Sequence, residues 1–184
     1  LHLEGLKSAA AFEDAAALEA LVPGVLPGWP FTWSGSPTDF VPFATIRPGK
    51  KRAWSINLHN DEPREWNAVD TLCDFVAELA WERIRARTEL LSLHAAAVDF
   101  SGRLVVFPNV KRSGKSTLSI ALARLGHRLF ADDVTPVEID GANGFITGLG
   151  NGAAPRLRLP LPETFTPAFS KWVADDSGPG NRRY

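Results

Sequence analysis

The sequence predicts an α/β fold in which a small β-rich lobe precedes a larger core. Three observations predict it. Residues 104–117, LVVFPNVKRSGKST, pass from an apolar strand pattern through a polar loop into the opening of a helix. Residues 66–88 place Leu72, Phe75, Val76, Leu79 and Ile84 at helical spacing on one face. Residues 23–64 instead are rich in Pro and Trp, with short β-like runs between turn signals. The division that follows is a lobe over residues 1–65 and a core over residues 66–184.

Composition bounds the function. The chain has 184 residues, 45% hydrophobic and 22% charged, enough for one domain or for a core with an appended lobe. A formal net charge of −1 offers no electrostatic footprint for nucleic acid or a membrane surface. Cys73 is the one cysteine. An internal disulfide framework is therefore excluded, and a reducing, cytoplasmic compartment is expected. No apolar run approaches the length of a membrane span. Glu4, Glu13, Asp14 and Glu19 interrupt the start, which reads against a secretory signal. The tail DDSGPGNRRY reads as a loop rather than a domain end, and predicts that the native chain continues beyond it. A homo-oligomer is compatible with this composition.

In chain order, residues 8–22 read as a short Ala-rich helix ended by Pro23 and Gly24. Phe40 to Ile46 and Ala53 to Leu58 read as strands, with Gly49-Lys50-Lys51 at a hairpin tip. Cys73 lies within the helix at 66–88 and reads as a packed thiol, since no His or Cys partner is close in sequence. Leu91 to Phe100 reads as a strand, Ser101-Gly102 as a turn, and Arg103 to Phe107 as the returning strand. His94 lies in the first of these, where a lone His is ordinarily structural. A helix follows from Lys115 to Leu125, with Leu118, Ala121, Leu122 and Leu125 as its apolar face and Gly126 as its stop. His127 to Ala131 reads as a further strand. Thr135 to Ile139 and Gly144 to Thr147 read as a hairpin around Asp140-Gly141. Arg156 and Arg158 alternate with Leu157 and Leu159 as an edge strand with a solvated cationic face, and Pro160 to Ala168 reads as a connection.

The chemistry concentrates between Asn109 and Asp133. A loop that wraps an anion must aim several backbone N–H groups inward, and Gly114 permits that close approach. A helix starting at Lys115 adds unpaired N–H groups and the positive end of its dipole. Lys115 reaches phosphate oxygens as a point charge, and the Ser116 hydroxyl is placed to ligate Mg²⁺. The nucleotide contacts expected are Asn109, Val110, Lys111, Arg112, Ser113, Gly114, Lys115, Ser116 and Thr117. The phosphate-loop pattern wants Gly at 109. Asn is the side-chain-bearing residue that best tolerates a left-handed backbone there. Strand, helix and a second parallel strand form a βαβ unit. Both strands then end on one edge of the sheet, so Asp132-Asp133 shares a crevice with the loop. A carboxylate pair at that place binds a cation and accepts a proton. The bland alternative is a simple turn after a strand.

His94, the loop ending SGKST, and GHRLFADD together resemble the catalytic domain of the HPr kinase/phosphorylase family. That family shares its nucleotide-binding P-loop core with phosphoenolpyruvate carboxykinases. The resemblance covers about residues 90 to 140. It implies ATP and Mg²⁺ as cofactors, with Lys115 on the transferring phosphate and Ser116 on the metal. One carboxylate of the pair, by preference Asp133, would be the catalytic base, and Asp132 would hold metal directly or through water, although either could ligate it. His94 would stand near the catalytic carboxylate. Three departures mark a divergent member: Asn109 in the loop, no counterpart of the family's later Gly-rich segment and Glu within Ile146 to Arg158, and no downstream catalytic Arg. The activity implied is transfer of the γ-phosphate to a serine-type hydroxyl on a small protein or peptide. Two alternatives stay open: a non-catalytic nucleotide- or phosphate-binding scaffold, and a kinase of a small-molecule hydroxyl.

Overall fold

The computed structural model describes residues 1–35, 41–59, 61–108, 113–178 and 180. Its elements in order are β1 (His2–Leu3), β2 (Ala10–Phe12), α1 (Ala16–Glu19), α2 (Val22–Val25), β3 (Phe31–Thr32), β4 (Ala44–Pro48), a 3₁₀ turn at Lys50–Arg52, β5 (Trp54–Leu58), β6 (Arg64–Trp66) and α3 (Ala68–Arg85). There follow β7 (Leu90–Leu93), β8 (Ala95–Phe100), β9 (Arg103–Pro108), α4 (Lys115–Arg124), β10 (Arg128–Ala131), β11 (Thr135–Asp140), β12 (Phe145–Gly148) and α5 (Pro167–Asp176). The fold is mixed α/β. Among the described residues no helix is long and apolar enough to cross a membrane.

The N-terminal sheet has the order β2-β4-β5-β6, with β4 and β5 joined antiparallel around the Lys50–Arg52 turn. The expected helix over residues 8–22 is instead a strand, β2, parallel to β4, followed by two single-turn helices. Ala is a strong helix former, but sheet pairing overrides that preference here. Asp14 turns the chain at φ 50, and Pro23 sits in the first turn of α2 rather than ending a helix. Leu72, Phe75 and Leu79 of α3 are buried in one cluster with Leu18, Val22, Phe43, Ile46 and Ile56. Phe75 stacks on Phe43 at 6.1 Å and meets Phe12 edge-on at 5.5 Å. The hydrophobic cluster therefore runs from the β-rich segment into the long helix. Asn67 caps α3 by accepting the Asp70 N–H.

Two three-stranded sheets follow, β10-β8-β9 and β12-β11-β7. The strand expected over Leu91 to Phe100 is broken at His94. Its first half, β7, pairs with β11, and its second half, β8, pairs with β9 and β10. The chain changes sheets at that residue. Thr135 Oγ1 donates to Ala95 O at 2.8 Å and ties the two sheets beside the break. Both β9 and β10 run antiparallel to β8, so they are parallel to each other with β8 between them. α4 connects them and packs on β8 and β10.

Three further expectations change. The buried side of α4 carries Lys115, Ser119 and Ile120, while Leu118 and Leu125 are exposed. Residues 149–158 form no strand. They are a strap: Arg83 donates to Gly150 O, Gly28 N–H to Gly152 O, and Ala154 N–H to Val25 O. Gly152 adopts φ 68, and a Cβ there would lie 2.8 Å from the backbone at Gly28 and Trp29, so glycine is required. The connection after Pro160 carries a helix from Pro167, α5, capped by Thr166.

Candidate functional site

The register of the central sheet brings three parts of the chain to one edge. Ala95 lies opposite Pro108, and Ala97 lies opposite Ala131. The start of β8, the end of β9 and the end of β10 therefore stand side by side. His94 precedes the first, the loop to α4 leaves the second, and Asp132-Asp133 leaves the third. This is a sheet edge at which strand carboxyl ends meet a helix N-terminus, where a crevice is expected.

Gly114 takes φ 89 at the N-terminus of α4, a left-handed backbone that suits glycine and disfavours any side chain. Lys115 then opens the helix and is buried. Ser116 and Thr117 are half-buried, and Ser113 is exposed. Asn109, Val110, Lys111 and Arg112 lie outside the described residues.

The two aspartates divide. Asp132 is 8% exposed, Asp133 is exposed, and they face different partners. Asp132 Oδ2 accepts the Arg156 backbone N–H at 3.0 Å. Its Oδ1 is buried with no hydrogen-bond partner among the described residues. Burial pushes the Asp132 carboxyl up from the ordinary aspartate range. The Arg156 N–H, the neighbouring Ser116 hydroxyl and the Arg156 charge oppose this, while Asp133 adds to it. Ser116 therefore lies close enough to act on Asp132, yet it does not satisfy Oδ1. A buried oxygen left so is unfavourable by about 1–3 kcal/mol, and an orphan acceptor beside a serine hydroxyl is a place for a hard cation.

Asp133 turns toward His94. Asp133 Oδ1 stands 2.9 Å from His94 Nε2, and Asp133 Oδ2 stands 3.9 Å from Arg156 Nη2. Its carboxylate is thus held between an imidazole and a guanidinium at the open side of the crevice. The strand break at His94 is what aims the imidazole there.

Sequence reasoning placed Arg156 on a solvated strand face. Instead its backbone meets Asp132 and its side chain approaches Asp133. Gly148, Gly150 and Gly152 alternate just ahead of Pro155. That pattern speaks against a strand and for a backbone that closely approaches its neighbours. Asn151 fastens the strap, its N–H to Phe130 O and its Nδ2 to Val134 O on either side of the aspartates. No family model matches this chain, and neither does any curated protein or solved structure.

Proposed function

We propose that this chain is a divergent HPr-kinase-like phosphotransferase with a P-loop core. It would bind Mg·ATP before α4 and transfer the γ-phosphoryl group to a serine-type hydroxyl on a small protein or peptide. One observation carries the reading: the orphaned Asp132 Oδ1 beside the Ser116 hydroxyl, at the N-terminus of the helix opened by buried Lys115. Oxygen donors at the mouth of a phosphate-accepting turn suit Mg²⁺, which keeps several waters and takes few protein ligands. When bound, Mg²⁺ would offset the charge on the phosphate oxygens.

The residues then take separate roles. Lys115 and the α4 N–H groups hold the phosphates. Asp133 accepts the proton of the acceptor hydroxyl as its oxygen bonds to the γ-phosphorus and the bond to ADP breaks. His94 holds the Asp133 carboxylate at its distance of 2.9 Å. A carboxylate base suits a neutral hydroxyl. The setting proposed is the cytoplasm, in keeping with a single half-buried thiol at Cys73.

A second reading, a small-molecule hydroxyl as acceptor, is favoured by one feature. A cavity of about 550 Å³ lies between α2, α3, α4, α5 and the strap, and Arg156 forms part of its wall. That volume suits a small ligand. Incubation with γ-labelled ATP and a lysate of the native host distinguishes the readings. A labelled polypeptide supports the first. Label confined to small products supports the second. Nucleotide binding with no labelled product in any fraction reduces the site to a scaffold.

A further inference from the structure

Away from the crevice, the end of β5 meets the exposed side of α3. Glu78 and Glu82 are one helical turn apart there and share a face. His59 follows β5 and is pinned by its N–H to Phe43 O at 2.9 Å. His59 Nε2 lies 2.9 Å from Glu78 Oε1 and 3.2 Å from Glu82 Oε1. The two glutamate side chains are only 14% and 12% exposed. Ser8 Oγ donates to the outer oxygen of Glu82 at 2.7 Å, the kind of hydrogen bond that orients a ligating carboxylate.

A single cationic atom sits at the focus of these groups. Arg85 Nη1 is 2.6 Å from Glu78 Oε1, 2.7 Å from Glu82 Oε1 and 2.7 Å from His59 Nε2. A guanidinium Nη carries two hydrogens, so it can make straight hydrogen bonds to only two of the three. The imidazole does not resolve this. With a bare Nε2, its lone pair faces the Glu78 oxygen. With a proton on Nε2, it faces the Arg85 N–H. With Nε2 bare, three lone pairs converge on one point, and with Nε2 protonated both glutamates are served while His59 and Arg85 are left donor against donor. Three lone pairs aimed at one point also suit a metal ion. Ligands at about 2.0–2.1 Å around a tetrahedral Zn²⁺ stand about 3.3 Å apart, close to the 2.9 and 3.2 Å separations from His59.

We propose that His59, Glu78 and Glu82 form a binding site for a divalent transition metal of the Zn²⁺ class, completed by water. The ion enters as the Arg85 head swings out. That side chain is 51% exposed. Its one positive charge only partly balances two glutamates. The bound ion fastens the end of β5 to α3, across the same sheet–helix packing that forms the N-terminal core.

The test is calorimetric titration of the full chain with Zn²⁺ alone, on the wild type, His59→Ala, Glu82→Gln, Arg85→Ala and Asp132→Asn. The expected result is one equivalent bound by the wild type. Affinity should fall at least tenfold in His59→Ala and Glu82→Gln, hold in Asp132→Asn, and stay equal or improve in Arg85→Ala. Co²⁺ should give a ligand-field spectrum that His59→Ala loses, with circular dichroism confirming that the variant is folded. No Zn²⁺ binding by the wild type, or binding that survives His59→Ala, overturns the proposal.

Discussion

Replacing Asp132 with Asn is expected to stabilise the apoprotein while impairing its use of Mg·ATP. Asp132 is 8% exposed, and one of its oxygens has no partner among the described residues. Asn can keep the acceptor for the Arg156 N–H and turn its amide toward the Ser116 hydroxyl. The orphaned buried acceptor is then removed, a gain of about 1–3 kcal/mol. For a chain of this size that is a rise in Tm of about 2 to 12 °C. The sign with pH follows from burial raising the folded-state pKa. Below the unfolded aspartate pKa both states are protonated and wild type pays no charge penalty. As pH rises through the folded pKa, ionisation of the buried group destabilises the wild type, and Asn escapes this. The Tm difference should therefore be absent in acid and grow as pH rises through the folded pKa. Differential scanning calorimetry of both proteins across that range, with and without Mg·ATP, measures it. A variant less stable than wild type at neutral pH would refute the reasoning, because the carboxylate would then be a satisfied structural group. A Mg·ATP-induced rise in Tm as large in the variant as in wild type would refute the metal role.

Asp133→Asn should retain the fold and Mg·ATP binding while phosphate transfer falls by about 10²–10⁴-fold, the range for a general base; a labelled-ATP assay reads this. Gly114→Ala places a side chain at φ 89 and should weaken nucleotide binding with a stability loss of about 1 kcal/mol or more, seen by denaturant titration. Phe75→Ala opens a hole between Phe12 and Phe43, and urea unfolding should show a loss of about 3–5 kcal/mol.

The parts legible in the sequence are those set by local signals. Helical periodicity located α3 to within a few residues, and turn residues located the β4–β5, β8–β9 and β11–β12 hairpins. The grouping of the glycine turn, Ser116 and the aspartates was legible because a strand–helix–strand unit sends both strand ends to one edge. What escaped was decided by distant partners. Residues 10–12 form a strand only because β4 lies alongside. His94 looked like an interior strand residue because apolar pattern alone cannot show a chain changing sheets. Arg156 looked solvated because the strap's docking against Gly28, Val25 and Phe130 is a long-range event. The rotation of α4 was misread because a buried Lys and Ser outweigh two exposed leucines.

The central claim is that the turn at Gly114 to Ser116 is a nucleotide phosphate site. Calorimetric titration of wild type and Lys115→Ala with Mg·ATP tests it most directly. The account predicts binding by wild type and a loss of at least tenfold in Lys115→Ala with the fold retained. Equal affinity in the two proteins would contradict it.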